Sequence, residues 1–343
     1  MTRPSISRFL AGALPRRRVR EAVDSYRRLH DESRGGDVDA RRRDSAAMTT
    51  RYYDLVTDFY EYGWGASFHF APRHSAESFQ ASLARSEMYV AHWLGLRPGM
   101  RALDLGCGVG GPMRTIARFS GAHITGINIS RYQIGRAQKH NHASQLTHLC
   151  EVVCGDFTTL PLPAARFDAA YQIEATAHAP DRRAVFAEVF RVLKPGARFV
   201  GYDWCLTDRY DPASAEHRGI KKGIEEGTSL PDLYYIPDVL HALADVGFEL
   251  IESHDHALTA DADGAWWRAL AGGAWWTVGG FRASRVGRLA THGFVRTLES
   301  IRVLPPGATE VSTLLNVGAE ALVRGGQTGI FTPMFFYCAR KPA

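Results

Sequence analysis

The chain has 343 residues, enough for one large domain or two ordinary ones. Hydrophobic residues make up 45% of it and charged residues 22%, which excludes a disordered chain, a collagen-like chain and a coiled-coil rod. The net charge of +5 falls within the first 50 residues, which hold 12 Arg against seven Asp or Glu, so the rest of the chain is neutral. A neutral body disfavours nucleic acid as a partner, because phosphate binding requires clustered cations on the folded surface.

The sequence predicts no membrane-spanning helix, since no run of 18 uncharged apolar residues occurs. The apolar stretch at residues 9–14 is short for a signal-peptide core and is followed by Arg16–Arg18 rather than by a cleavage site. Five cysteines, an odd number, fit a reducing compartment, and they show no zinc-ligand spacing. We therefore expect a cytoplasmic protein without a metal, with peripheral contact with a membrane surface as an open alternative.

From Arg101 onward, strand-like and helix-like segments alternate, which predicts a parallel sheet flanked by helices. Further along, 232–257 allows one more helix and strand, 260–325 is predicted to be an irregular insertion with Trp and Gly, and 330–340 is a closing strand. The predicted strands before these are 101–105, 123–128, 149–153, 167–173 and 198–204, and the predicted helices are 111–119, 132–142 and 181–193.

A glycine-rich turn, from Leu103 to Gly111, joins the first predicted strand to the first predicted helix. It satisfies both the dinucleotide fingerprint and the G-x-G-x-G pattern of enzymes that bind S-adenosylmethionine (SAM). Asp104 favours SAM, because a carboxylate repels a pyrophosphate and attracts the ammonium and sulfonium groups of SAM. Asn128 stands where a dinucleotide site has Asp or Glu for the ribose. The alternative is a glycine turn that serves packing alone.

The expected SAM contacts lie at the ends of the first four predicted strands. Asp156 can accept a hydrogen bond from the adenine amino group, and Phe157 can stack on the ring. S-adenosylhomocysteine is the corresponding product. The residues predicted to bind the cofactor are Asp104, Gly106, Cys107, Gly108, Gly110, Asn128, Gln133, Asp156, Phe157 and Glu174.

Several separate motifs resemble the sterol 24-C-methyltransferase family. The aromatic segment Tyr52–Phe70 is similar to the signature that opens these enzymes. The resemblance extends from residue 22 to the end of the chain and implies a class I SAM-dependent methyltransferase: an α/β, Rossmann-like sheet, mostly parallel, with its last strand antiparallel. It also implies a sterol side-chain alkene as the methyl acceptor. The other similar stretches are Gly111–Pro112 after the glycine turn, Ile173–Pro180, Thr207–Asp208 and Phe331–Pro342.

The chain departs from the family pattern at four places. Asn128–Arg131 stands in place of an Asn-rich run, Ala177 in place of Cys, Asp203 in place of Glu, and Gly227–Ser229 in place of Gly-Asp-Gly. We expect the first departure to affect the fit of the cofactor and the other three to affect the acceptor pocket.

Methyl transfer to an alkene requires no base before the new bond forms, so positioning supplies much of the rate. The carbocation that follows is stabilised by aromatic faces, each worth roughly 0.5–2 kcal/mol when desolvated. Tyr53, Tyr62 and Trp64 are predicted to supply such faces. The resemblance implies a hydride shift and then loss of a proton from the new methyl group, for which the candidate bases are Glu61, Glu174 and His178.

The resemblance divides the chain into five segments. They are a basic N-terminal extension at 1–50, partly helical or disordered; an aromatic substrate-covering segment at 51–96; a SAM-binding α/β core at 97–258; a sterol-side cap or lid at 259–328; and a closing strand of the core sheet at 329–343. The fourth segment contains four tryptophans that are expected to cap a sterol cavity or to contact a membrane interface: Trp266, Trp267, Trp275 and Trp276.

Two other functions stay open at this stage. One is methyl transfer to another prenyl lipid, such as a tocopherol-like ring, or to a fatty-acyl alkene. The other is a non-catalytic protein that binds SAM or a sterol. The expected partner is a small-molecule sterol, and homo-oligomerisation is a further option.

Overall fold

A computed structural model describes residues 14–343 except 32, 34, 75–76, 261–263 and 272–283. The chain divides into two compact units. The helical unit comprises Met1–Phe68, Arg209–Asp232 and Trp267–Ile330, and the sheet unit comprises His69–Asp208, Leu233–Trp266 and Phe331–Ala343. The predicted division into five segments stays a prediction.

One mixed sheet of eight strands forms the sheet unit. Its strand order is 3-2-1-4-5-8-7, with the short sixth strand beside the fifth. The first six strands pair in parallel, whereas the last is antiparallel to both the fifth and the seventh. This confirms the predicted α/β Rossmann-like sheet and its antiparallel last strand. The strands are β1 (Arg101–Leu105), β2 (His123–Asn128), β3 (Cys150–Cys154), β4 (Phe167–Ile173), β5 (Leu193–Leu206), β6 (Tyr234–Tyr235), β7 (Glu249–Asp255) and β8 (Phe331–Arg340).

The helices are distributed over both units. Two 3-10 turns, Thr176–His178 and His256–Thr259, follow β4 and β7. The described helices are α1 (Arg16–His30), α2 (Val38–Arg43), α3 (Ser45–Gly63), α4 (Phe79–Leu94), α5 (Gly111–Ser120), α6 (Arg131–Ala143), α7 (Arg182–Val192), α8 (Ala215–Thr228), α9 (Ile236–Val246), α10 (Arg268–Ala271), α11 (Arg285–Ser300) and α12 (Ala308–Thr328).

The strands β1 and β4 are buried along nearly their whole length. Leu103, Leu105 and Ala170 are fully buried in one apolar cluster with Phe186 and Phe199. Runs of this kind are typical of parallel strands that are covered on both faces. Because β1 and β4 pair in parallel, their carboxyl ends lie side by side, at the edge where α/β sheets bind ligands.

The helical unit has its own core. Tyr26 on α1 and Met48, Tyr52 and Val56 on α3 are buried together with Leu314 on α12. The Tyr52 hydroxyl donates to the carbonyl of Gly227 over 2.8 Å, which ties α3 to the end of α8. Among the described helices, none is both long and apolar enough to cross a lipid bilayer.

The strand predicted at 198–204 begins earlier, at Leu193. Leu193 is fully buried and pairs with Phe167 of β4, so Lys194-Pro195-Gly196 lies within the strand instead of preceding it. The register with β4 shifts between Phe167 and Ala169, and Gly196 has a φ of 77°. A Pro-Gly pair can occupy a strand where the ladder is interrupted by such an irregularity.

The prediction of an irregular insertion at 260–325 is wrong for α11 and most of α12. Its glycines indicate helix breaks in the sequence, but Gly287 and Gly318 are buried inside helices. A Cβ on Gly318 would lie 2.9 Å from the Cα of Gly227, so the missing side chain permits close helix packing. Trp275 and Trp276, on which the cap hypothesis drew, lie outside the described residues.

The contact between α8 and α12 generates a stability prediction. A Cβ on Gly227 would lie 2.1 Å from the Cα of Gly318, so Gly227→Ala is expected to destabilise the protein by about 1–3 kcal/mol through overpacking. Gly219 is the matched control, because it lies on the same helix and its Cβ would meet nothing within 4 Å. Gly219→Ala is expected to stabilise by about 0.5–1 kcal/mol. Urea unfolding measures both, and equal shifts in the two variants would contradict the packing argument.

Candidate cofactor and catalytic site

Three glycines shape the turn after β1, and one of them leaves its backbone accessible. Gly106, Gly108 and Gly110 have φ values of 73°, 53° and 76°, which favour glycine. A Cβ on Gly106 would lie 2.4 Å from the Cβ of Ala175, so this glycine is required by packing. A Cβ on Gly108 would meet nothing within 4 Å. The backbone at Gly108 is therefore accessible to a ligand.

The backbone N–H groups of this turn are largely used inside the fold. Gly106 and Cys107 donate to the carbonyl of Ile127 over 2.9 and 3.1 Å, and Gly110 donates to Cys107 over 2.8 Å. A phosphate-binding loop requires such groups to point at the anion. The turn is thus poorly suited to a pyrophosphate, in agreement with the preference for SAM.

Asp104 places a carboxylate in a dry position on β1. It is 3% exposed and accepts a hydrogen bond from the Tyr171 hydroxyl over 3.0 Å. Burial raises the pKa of Asp104 to about 7, and the hydrogen bond only partly offsets this effect. A ligand cation would stabilise the ionised form, so Asp104 fits the ammonium group of the cofactor.

Two further strand ends carry groups that suit a nucleoside. Asn128, at the end of β2, donates from Nδ2 to Oε1 of Gln133 over 2.8 Å, and both residues are buried. Oδ1 of Asp156 accepts from the N–H and hydroxyl of Thr158 over 2.8 and 2.7 Å, which leaves Oδ2 for a ligand. Phe157 lies near the turn, 3.8 Å from the Cβ position of Gly106. These positions fit the ribose and adenine of SAM.

Glu174 has a strained backbone just after β4. Its φ of 57° is uncommon for a residue other than glycine and is typical of functional sites. Oε1 accepts from the Phe70 N–H over 2.7 Å and Oε2 accepts from the Trp204 indole N–H over 2.8 Å. Burial raises the pKa of Glu174 to about 8.

Four aromatic rings of the sheet unit pack against one another next to the residues that hydrogen-bond Glu174. Phe70 lies 4.9 Å from Trp266 and 6.1 Å from Trp204, measured between ring centroids. Phe331 lies 5.3 Å from Trp204 and 5.8 Å from Trp266. The hydrogen bonds from the Phe70 N–H and the Trp204 indole place Glu174 beside this apolar cluster.

Sequence reasoning missed a buried pair, His69 and Glu87. Nδ1 of His69 lies 2.7 Å from the carbonyl oxygen of Phe70, and Nε2 lies 3.1 Å from Oε1 of Glu87. A carbonyl only accepts, so Nδ1 carries a hydrogen, and the contact between Nε2 and the carboxylate requires a second one. Burial lowers the pKa of His69, but the hydrogen bond and charge of Glu87 outweigh it and raise the pKa. The raised pKa favours the positively charged form of His69 beside Glu87.

Phe70 links this pair to Glu174. Its carbonyl accepts from His69 while its N–H donates to Glu174. The charge of His69 lowers the pKa of Glu174, which partly opposes the effect of burial. The sequence does place the ionisable His69 between two aromatic residues, Phe68 and Phe70. Its partner Glu87, however, stands 18 positions further along the chain, and no characteristic motif connects the two.

The sheet unit brings all predicted cofactor residues to the carboxyl ends of its parallel strands. His178 is half-buried and ends the 3-10 turn after Glu174. The remaining candidates belong to the helical unit, in α3 or just after it, and are half-buried; they are Tyr53, Glu61, Tyr62 and Trp64. Their catalytic roles stay predictions. Among the described residues, no group of three His, Cys, Asp or Glu is arranged to hold a metal ion.

Comparison with known proteins gives matches over up to 97% of the chain. A family model described as "Methyltransferase domain" matches residues 103–201, and one described as "Sterol methyltransferase C-terminal" matches residues 278–343. A cycloartenol-C-24-methyltransferase of Arabidopsis thaliana is 45% identical over 97% of this chain and 98% of its own. A sterol 24-C-methyltransferase of Yarrowia lipolytica is 44% identical over 91% of this chain and 84% of its own.

A solved structure supports the fold. The mycolic acid cyclopropane synthase CmaA1, complexed with S-adenosylhomocysteine and CTAB, superposes with a TM-score of 0.69. It is 16% identical in sequence and the match covers 86% of this chain and 98% of that chain. At this identity the likeness concerns the architecture alone.

The raised pKa of Asp104 predicts pH-dependent cofactor binding. S-adenosylhomocysteine carries the same ammonium group as SAM, and its dissociation constant is expected to rise about tenfold from pH 8 to pH 6 as Asp104 becomes protonated. Calorimetry measures this change. The Asp104→Asn variant should bind more weakly at pH 8 and lose most of the pH dependence. A variant that retained the full dependence would assign it to another group.

Proposed function

The chain belongs to the sterol 24-C-methyltransferase family, and from this premise we propose that it transfers the methyl group of SAM to C24 of a sterol side-chain alkene. The observation that carries the proposal is the dry strand edge that holds the carboxyl groups of Asp104 and Glu174, whose ionised forms suit a cationic methyl donor. The sterol as acceptor rests on the family. The relatives do not favour a tocopherol-like ring, a fatty-acyl alkene or a non-catalytic binding protein.

SAM is the cofactor, and when bound it supplies an electrophilic methyl group on a sulfonium. In this proposal, Asp104 holds its ammonium group. Asn128 and Gln133 hold the ribose hydroxyls. Asp156 accepts from the adenine amino group, and Phe157 stacks on the ring.

The chain's own contribution to the first step is to exclude water and to hold the alkene. An alkene has no proton to lose before it attacks, so no side chain needs to act as a base at this stage. The rings of Phe70, Trp204, Trp266 and Phe331 form an apolar surface against which a sterol side chain can pack, and their faces stabilise a neighbouring cation. Tyr53, Tyr62 and Trp64 are proposed to contribute further faces.

Glu174 is the base that we favour for the second step. After methyl transfer the cation lies on the alkene carbon next to C24, and a hydride shift from C24 to that carbon moves the cation to C24. A C–H bond of the new methyl group then breaks, its electrons form the double bond to C24, and the proton moves to a carboxylate oxygen of Glu174. With a pKa of about 8 this carboxyl accepts a proton more readily than an exposed one. The hydrogen bonds from Phe70 and Trp204 hold both oxygens in place. His69 and Glu87 act as positioning residues, since His69 acts on Glu174 through Phe70 and through its charge. Glu61 and His178 stay alternative bases.

The acceptor specificity can be tested with a matched pair of sterols. The purified protein is incubated with methyl-labelled SAM and either desmosterol or cholesterol, which differ by the C24 double bond. Desmosterol is expected to gain one labelled carbon and cholesterol none, as measured by mass spectrometry. Cycloartenol extends the panel to a second alkene. Label in a fatty-acyl alkene or a tocopherol precursor but in neither sterol would contradict the proposal.

Removing the charge of Glu174 tests its role. Glu174→Gln keeps the shape of the side chain and is expected to lower kcat by about 100-fold or more, the range for loss of a general base. The affinity for S-adenosylhomocysteine should change far less. Glu151→Gln, at an exposed position on β3, is the control and should leave kcat unchanged.

The pH profile separates a base from a structural residue. In wild type, kcat should fall as pH drops through the pKa of Glu174. His69→Asn removes a positive charge that lowers this pKa, so the acidic limb of the profile should move to higher pH. A uniform loss of kcat without this shift would make His69 a structural residue only.

Because a sterol is a membrane lipid, the proposal includes peripheral contact with a membrane surface. Homo-oligomerisation stays a prediction.

A further inference from the structure

Helix α11 exposes a stripe of large apolar side chains. Val286 is 67% exposed, Leu289 60%, Phe294 54%, and Ile301, just beyond the helix, 61%. At 3.6 residues per turn, Val286, Leu289 and Phe294 fall within an arc of about 140°, so they share one broad face of the helix. The opposite face is buried, with Val295 in an apolar cluster of the helical unit. The helix therefore presents apolar side chains both to the core of the helical unit and to its outer surface.

The charges along this helix are mostly of one sign. Arg285, Arg296 and Arg302 are exposed beside the stripe. Glu299 is the one acidic residue of α11, and it is engaged on the other side: its oxygens accept from the N–H groups of Gly307 and Thr309 over 2.8 and 2.7 Å. Arg285 approaches Glu320 to 3.7 Å, but both side chains are more than half exposed, so this pair is weak.

The combination of apolar side chains and arginines on this face favours some binding partners over others. A second copy of the chain related by a two-fold axis would bring the arginines of one stripe toward those of the other. That arrangement is unfavourable, since like charges would face each other across the contact. A membrane that contains anionic lipid offers hydrocarbon to the stripe and phosphate and carboxylate groups to the rim.

We propose that the outer face of α11, formed by Val286, Leu289, Phe294 and Ile301 with its arginine rim, docks on an anionic lipid membrane. The inference deepens the proposed function, on which it rests for one point: the acceptor is a lipid that the enzyme must reach in a membrane. The docking itself is independent of methyl transfer.

Vesicle flotation with the full chain tests the surface. The probes are sterol-free vesicles of phosphatidylcholine alone or with about one-third phosphatidylserine, because the rim selects anionic headgroups. Wild type is expected to float with the anionic vesicles only, and high salt should reduce its binding. Phe294→Glu and Leu289→Glu should each weaken binding about tenfold, since each removes an inserted apolar group and adds a like charge to the lipid.

Phe119 provides a matched control. It is 57% exposed, nearly the same as Phe294, but lies on α5 in the sheet unit. Phe119→Glu should bind vesicles as wild type does. The proposal is overturned if wild type fails to bind anionic vesicles, or if Phe119→Glu weakens binding as much as Phe294→Glu.

Light scattering decides whether another occupant covers the face. A wild-type dimer that Phe294→Glu converts to a monomer would show that a second copy covers it, and would overturn the proposal. Methyl transfer to desmosterol carried by cyclodextrin bypasses the membrane and should be unchanged in Phe294→Glu. If vesicle binding follows the expected pattern while desmosterol is not methylated, the proposed function fails and the docking surface stands.

Discussion

Negative charge held out of water at the carboxyl edge of the sheet is the constraint on which the site depends. Asp104 and Glu174 are both buried, and each is hydrogen-bonded by neutral donors: the Tyr171 hydroxyl, the Phe70 N–H and the Trp204 indole. Neutral donors hold a carboxylate in place without neutralising it. The carboxylates therefore retain their attraction for a cation that arrives from outside, at the cost of raised pKa values in its absence.

The same unit contains buried carboxylates of a different kind. Asp203 and Arg182 are both fully buried and lie 3.4 Å apart, so their charges are compensated within the fold. Glu87 is likewise compensated by His69. A permanent partner makes such a carboxylate insensitive to ligands, whereas Asp104 and Glu174 respond to them. The difference between scaffold and site thus lies in the charge of the hydrogen-bond donors rather than in the depth of burial.

Local patterns allowed the core of the sheet and the cofactor edge to be predicted from the sequence. The glycine turn, Asp104 and the strand ends after β2, β3 and β4 are each encoded within a few residues, and parallel pairing brings these strand ends to one edge. His69 and Glu87 could not be predicted, because a loop and a helix bring them together without a characteristic spacing.

Glycine was the second source of error. Gly318 falls in the stretch predicted to be irregular, but its partner Gly227 lies 91 positions earlier, and only the contact between the two helices explains why a side chain is absent from both. The Pro-Gly pair at 195–196 stands between the predicted helix and the predicted strand, but it lies within β5, since a strand can pass through such a pair where the neighbouring ladder shifts register. Local sequence therefore overestimates breaks wherever tertiary packing selects glycine.

The contacts of Asp203 also change how its departure from the family pattern is interpreted. The shorter side chain was expected to alter the acceptor pocket, but it is fully buried and accepts from the Thr176 hydroxyl over 2.8 Å as well as from Arg182. Thr176 follows Glu174 by two residues. Position 203 is therefore connected to the loop that carries Glu174, and its effect on the acceptor pocket stays a prediction.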